Sequence, residues 1–207
     1  TLNVAVGDAA SSANTTASGN VSVGANSQLN NTTGSNNVSM GYASMQANTT
    51  ASGGTGLGYQ TLVSNTTGAN NSAAGAYALY ANTTGANNTA FGYKALDTNT
   101  TASYNTAIGS NAGEDNTTGS QLVLIGSDAG KNITTGARNT MLGYQAGDDL
   151  TTGSDNICIG YLTDTGNSAG AHRITIGNDI DSVGDNYFTF GKDGNRVYNL
   201  YTSNASW

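Results

Sequence analysis

The chain has 207 residues, 29 of them glycine and none proline, with 9% charged residues, 7% aromatic residues and a net charge of −7. That balance excludes phosphate-backbone binding, which needs patches of Lys and Arg, so nucleic acid is not an expected partner. One histidine, His172, and one cysteine, Cys158, leave little from which to build a Ser/His/Asp array or a His-rich metal site.

From the start of the chain a glycine returns every 17 residues, at Gly7, Gly24, Gly41, Gly58, Gly75, Gly92, Gly109, Gly126, Gly143, Gly160 and Gly177. Ordinary loops vary freely in length, so a period held over eleven glycines means one supersecondary unit stacked on copies of itself. The residues before each glycine keep the same register. One position before it stand Val6, Val23, Met40, Leu57, Ala74, Phe91, Ile108, Ile125, Leu142, Ile159 and Ile176; three before it stand Val, Ile, Thr or Ser, from Val4 to Ile174. Two residues apart, these columns point to one side of a strand. Between them runs a column of mostly small residues, Ser22, Ser39, Gly56, Ala73, Ala90 and Ala107, followed by Leu124, Met141, Cys158 and Thr175, facing the other way.

After the glycine a second short extended piece is predicted to end near Leu62, Leu79 or Leu96, followed by a polar corner. That corner reads NTTG or NTTA at Asn14, Asn31, Asn48, Asn65, Asn82, Asn99 and Asn116, chemistry that favours side-chain-bonded or left-handed turns. Each unit is therefore a strand of about five residues, a bend at the glycine and a corner: one coil of an all-β parallel β-solenoid. Ten steps at about 4.8 Å give a rod of roughly 48 Å. Strand ladders tolerate proline poorly, in keeping with its absence. Identical Asn and Thr residues at equivalent corners are expected to form ladders between coils; the same NTT triplets match the N-glycosylation acceptor pattern.

One coil supplies only two or three apolar side chains, with tyrosines added at Tyr42, Tyr59, Tyr93, Tyr144 and Tyr161. A coil cannot bury its apolar face alone. The small-residue column offers a face for close approach by partner chains, and the expectation is a homo-oligomer packed there; the other reading is that this column lines a narrow interior.

The "NxAxGxxAL…NTTGxN" unit resembles the head repeats of trimeric autotransporter adhesins and, more closely, the repeat arrays of bacteriophage tail fibres. The resemblance covers residues 1 to about 180. It implies a left-handed β-roll, an intertwined or side-by-side homotrimer, a virion or extracellular location, and an endosialidase-type chaperone domain after the array. The final stretch, "FGKDGNRV…SNASW", is similar to the segment that precedes such a chaperone. Residues 1–180 are accordingly read as the repeat array and 181–207 as a capping connector; the opening "TLNVAVGDAA" enters inside a repeat, as in a fragment or processed product.

Charge is uneven: residues 1–93 carry one charged side chain, Asp8. Cys158, between Ile157 and Ile159, reads as a packed free thiol, and His172 as an exposed position in a divergent coil. Asp179, Asp181 and Asp185 have calcium-ligand chemistry without the EF-hand spacing, and read as a solvated turn. Glu114 and Asp115, or Asp148 and Asp149, lie at turns rather than across a cleft, so an enzyme is not expected. No cofactor is implied. With neither a signal peptide nor an apolar run of about 20 residues, no membrane insertion is expected.

Three functions compete: a trimeric phage tail-fibre shaft that attaches to a host surface, a bacterial surface adhesin of the same fold, and an ice-binding solenoid using the hydroxyl array of Thr32, Thr49, Thr66, Thr83 and Thr100. Aromatic residues collect late in the chain. Tyr187, Phe188, Tyr198 and Trp207 are the candidate contacts to a cell-surface glycan, against the alternative that they form a hydrophobic plug between chains.

Overall fold

The computed structural model describes residues 2–201, which leaves Trp207 outside the described residues. Nine strands of three residues come first: β1 (Val4–Val6), β2 (Val21–Val23), β3 (Val38–Met40), β4 (Thr55–Leu57), β5 (Ser72–Ala74), β6 (Thr89–Phe91), β7 (Thr106–Ile108), β8 (Val123–Ile125) and β9 (Thr140–Leu142). Four longer strands follow: β10 (Ile157–Asp164), β11 (Ile174–Asp181), β12 (Tyr187–Lys192) and β13 (Asn195–Leu200). All pair in chain order into one 13-stranded sheet. From β1 to β12 every pairing is parallel, and up to β11 each residue pairs with the one 17 positions later, as Ala90 does with Ala107. The chain is an all-β solenoid of stacked coils, with no helix among the described residues. Eleven spacings of about 4.8 Å make the parallel stack roughly 53 Å long.

The strands are shorter than the five residues expected, and no second extended piece accompanies them in β1 to β9. Instead the coil closes through left-handed turns. Gly92 has φ +142 and Gly109 φ +141; a Cβ on Gly92 would lie 2.3 Å from the carbonyl oxygen of Gly109 in the next coil. Only glycine fits this corner. Two residues on, Gln60, Tyr77 and Lys94 have φ 51, 61 and 56, and four residues on, Leu62, Leu79 and Leu96 have φ 53, 52 and 54. A non-glycine residue in this region costs about 1 kcal/mol or more. Bonds to the next coil offset the cost: the Leu79 N–H donates to the Ala95 carbonyl at 3.0 Å, and Leu62 to Ala78 at 3.0 Å.

Those tight turns decide which strand face is interior, and they overturn the expectation that partners pack on the small-residue column. Ser22, Ser39, Ala73, Ala90, Ala107, Leu124, Met141, Cys158 and Thr175 are all buried inside the coil. Opposite them stand Ala78, Ala95, Ala112 and the leucines of the left-handed turn, also buried. The walls are close: a Cβ on Gly56 would lie 2.7 Å from Ser44 Oγ. The tyrosines assigned to the core lie outside it, with Tyr42, Tyr59, Tyr93, Tyr144 and Tyr161 nearly half exposed.

Buried asparagines close the rest of the interior in two ladders. In the first, at the NTT corner, Asn82 Nδ2 donates to Asn65 Oδ1 at 2.7 Å, Asn99 to Asn82 at 2.9 Å and Asn116 to Asn99 at 2.9 Å. In the second, just before each strand, Asn88 Oδ1 accepts from the Asn105 N–H at 3.0 Å, while Asn88 Nδ2 donates to the Ala102 carbonyl at 2.9 Å. Every such side chain replaces water for backbone groups the coil would otherwise strand. The threonines add a third ladder: Thr66 Oγ1 donates to the Thr83 carbonyl at 3.0 Å and Thr83 Oγ1 to Thr100 at 3.1 Å.

The stacking outlasts the 17-residue period. Ile174 pairs with Phe188 and Gly177 with Gly191, a step of 14 residues, so β12 forms a shortened coil in parallel register. β11 runs to Asp181, across the 180/181 boundary drawn from the sequence. Then β13 returns antiparallel to β12 through the turn at Asp193 and Gly194. Arg173 takes the place of an asparagine in the second ladder. Buried to 8% side-chain exposure, it pairs with Asp185 at 2.6 Å and donates to the Thr165 carbonyl.

Candidate interaction surface

With the small residues inside, the other two strand columns face outward: the one before the glycine is apolar throughout, and the one three before it is Thr or Ser from Thr55 to Thr106. On a single chain Val4, Val6, Met40, Leu57, Phe91, Ile108, Val123, Leu142, Ile176 and Phe190 are all exposed, Met40 at 46% and Phe91 at 41%. Because coils stack in register, these side chains form one stripe along the parallel stack from β1 to β12. Isolated exposed apolar residues are common on soluble proteins; here they stand in one contiguous row.

Around the glycine corner a second row flanks the stripe. Tyr42 stacks on Tyr59 with centroids 5.5 Å apart, Tyr77 bridges Tyr59 and Tyr93 edge-on, and Tyr144 stacks on Tyr161 at 5.5 Å. Mutual burial of the rings raises the Tyr77 phenol above its ordinary pKa. The signal that could have placed Tyr42, Tyr59, Tyr93, Tyr144 and Tyr161 outside was their position immediately after a positive-φ glycine.

Charged side chains pair between coils, and Lys94 does so from the same corner as Tyr93. Lys94 Nζ lies 2.7 Å from Glu114, which Lys131 approaches at 3.7 Å, and the hydrogen bond to Glu114 raises the Lys94 pKa. Arg138 grips Asp155 with two bonds of 2.6 and 2.9 Å, one coil apart, and holds that carboxyl below the usual range. Asp185 is held low by the Ala171 N–H and by Arg173, so it is engaged rather than available as an open cation ligand. Asp179, Asp181 and Asp185 are not brought into a metal-binding group, and no group of three or more His, Cys, Asp or Glu suited to a metal occurs among the described residues. Asp164 is different: burial raises its pKa to about 7, with Asp149 and Asp148 adding negative charge nearby. Its Oδ1 accepts from the Asp149 N–H at 3.1 Å, while the Asp149 carboxylate accepts from the Thr165 hydroxyl at 2.8 Å. Cys158 is buried and free, its thiol pKa raised by burial, and His172 is exposed.

The distal aromatic residues lie partly in line with the stripe. Phe188 and Phe190 pair with Ile174 and Ile176 and so extend the two outer columns by one coil. Beside them, Val197, Tyr198 and Asn199 of β13 complete a shallow cavity of about 280 Å³. Tyr187 is half-buried and meets the exposed Tyr198 edge-on at 6.0 Å. The sequence reading singled out Tyr187, Phe188 and Tyr198 but missed Phe190 and Val197, whose strand pairing brings them into the same patch. Among the threonines proposed as an ice-facing array, Thr32, Thr49, Thr66, Thr83 and Thr100 each donate their hydroxyl to a neighbouring coil's carbonyl.

Fold and surface together define a β-solenoid repeat protein with an exposed apolar stripe along its strand face. No protein family, curated protein or solved structure matches the chain.

Proposed function

We propose that this chain is a structural segment of a phage or phage-like tail fibre, forming a homotrimeric shaft that also attaches to the host surface. The observation that carries the reading is the outer stripe: an apolar row extending from β1 to β12 needs partners that extend equally far, and parallel copies of the chain meet that need. The resemblance of the 17-residue unit to fibre and adhesin-head repeats supports three as the number. A rod in which every backbone rung is repeated, with Asn ladders inside and a Thr ladder at the half-buried corner, suits transmission of force rather than chemistry. Attachment through such a fibre multiplies weak contacts by the number of chains.

The location of Phe188 and Phe190 at the end of the stripe supports their assignment to the contact between chains. Tyr198, exposed on the terminal strand β13, is the receptor-facing candidate, with a ring able to cover the apolar face of a cell-surface sugar. Native mass spectrometry is expected to give three chains per particle. Fluorescent protein is expected to bind host bacteria, and Tyr198→Ala to weaken that binding with the mass unchanged. A single-chain mass rejects the shaft, and undiminished binding by the variant rejects the sugar contact.

A further inference from the structure

We propose that the tyrosines gathered around Tyr77 are an oxidative cross-linking site, at which a haem peroxidase acting with hydrogen peroxide joins Tyr77 to Tyr59 through a carbon–carbon bond and staples two coils together. The modification lies within one chain and does not depend on how many chains assemble.

The site is built by one departure from the repeat. The residue after the glycine is tyrosine at Tyr42, Tyr59 and Tyr93, but the coil between Tyr59 and Tyr93 has Ala76 there. That coil instead carries Tyr77 and Tyr80, each the only aromatic residue in its column. Tyr77 occupies the level that Ala76 leaves open, edge-on to Tyr59 at 5.4 Å, to Tyr80 at 5.8 Å and to Tyr93 at 6.0 Å. With Tyr42 stacked on Tyr59, five rings make one cluster. Burial among the rings raises the Tyr77 pKa, and the Tyr59 and Tyr93 phenols raise it further, so the hydroxyls of these rings converge. The ortho carbons adjoin the carbon that bears each hydroxyl and converge with them.

The surroundings favour phenol oxidation. Residues 1–93 contain no Cys, Trp or His, which leaves tyrosine as the readiest one-electron donor in that half of the chain. Tyr59 and Tyr93 are nearly half exposed, within reach of an oxidant. Other fastening between coils on the outer surface is missing there: Asp8 is the only charge before Lys94, so ion pairs such as Arg138 with Asp155 have no counterpart. In the reaction each phenol gives up one electron and its O–H proton, which leaves a radical with density on the ortho carbons. Coupling forms one carbon–carbon bond. Each ortho carbon then releases its hydrogen as a proton, and each oxygen takes a proton back, restoring both phenols. Two hydrogen atoms are lost in all, and hydrogen peroxide accepts them to become two waters. The new bond lies in the plane of each ring, so the edge-on pair is nearer to it than Tyr42 and Tyr59, whose rings lie face to face at 14°. Exposed side chains reorient within nanoseconds, enough to close the remaining gap.

The test treats the full chain with a haem peroxidase and hydrogen peroxide. Dityrosine fluorescence is expected, with the chain still running as a single chain on a denaturing gel. The yield should not change on dilution, because the partner ring is held at high effective concentration. Trypsin cleaves after Lys94, so all five rings fall in the peptide of residues 1–94, whose mass should drop by two hydrogens. Fragmentation should place the link between Tyr59 and Tyr77. Tyr77→Phe keeps the ring and removes the hydroxyl; its far-UV circular dichroism should be unchanged and its dityrosine severalfold lower. Tyr104→Phe, at a tyrosine that is 64% exposed and in no ring pair, should leave the yield as it was. The staple closes a loop, so the treated protein should melt about 5 °C higher than the untreated, and treated Tyr77→Phe should not. Equal dityrosine in the unmodified protein and Tyr77→Phe, a link found only between chains, or no loss of hydrogen from the 1–94 peptide overturns the site. An unchanged midpoint after cross-linking overturns the staple.

Discussion

Around β5 to β7 the strand gives the interior Ala73, Ala90 and Ala107, and the left-handed turns supply Leu62, Leu79 and Leu96, all buried. Around β8 and β9 the strand supplies Leu124 and Met141, and the turn positions are Gly113, Gly130 and Gly147. A Cβ on Gly113 would lie 2.6 Å from Leu124 Cδ1, and one on Gly147 2.3 Å from Met141 Sδ. The large residue has moved from one wall of the coil to the other. The asparagine ladders change in the same region: Ile133 and Leu150 take over at the NTT corner, and Leu122 interrupts the second ladder. What the coil preserves is interior volume and polar satisfaction, not residue type, because the backbone path leaves one fixed space per turn.

The largest effect should come from disturbing that exchange of volume. Leu124→Ala is expected to destabilise by about 3 kcal/mol, and Gly113→Leu to destabilise as well, since its side chain would enter space Leu124 occupies. The double variant recreates the pattern of Ala107 over Leu96 and should recover most of the stability. Denaturant melts of the four proteins measure the coupling; losses that add would show that the two walls do not share one space.

A smaller effect separates a ladder's middle from its end. Asn82→Ile breaks bonds to Asn65 and from Asn99, leaving polar atoms on both sides without these partners, and should cost about 2 kcal/mol. Asn116→Ile sits beside the coil where Ile133 already replaces the asparagine, breaks one interside-chain bond in this ladder, and should cost about half as much. Equal losses would mean that the ladder is not the source of stability.

A third effect depends on pH and is confined to the later coils, where the charges are. The folded pKa of Asp164 is raised from 3.8 to about 7, so the folded state holds the proton more tightly than the unfolded chain. The stability it contributes is fully present below about pH 4 and is lost as pH rises through about 7. Thermal melts should therefore show a midpoint that falls between about pH 4 and pH 7, and Asp164→Asn should flatten that slope. An unchanged slope in the variant would place the ionisation elsewhere.

The sequence by itself determined the period, the strand positions and the glycine corner. Each depends on a local conformation that a few residue types can adopt, and Gly92 with Ala90 and Phe91 shows all three in one stretch. It also contained the Asn and Thr ladders, since identical residues 17 apart must stack once coils do. It did not determine which strand face is inside. Alternation assigns Ala90 and Phe91 to opposite faces without labelling them, and the usual expectation that large apolar residues are core pointed the wrong way. The tertiary structure decided it through width: left-handed turns at Lys94 and Leu96 draw the opposite wall so close that the strand's inward position has room for alanine, and phenylalanine must face out. The distal patch was likewise decided by pairing, because the 14-residue step that sets Phe188 and Phe190 in line with Ile174 and Ile176 breaks the period from which every earlier column could be read.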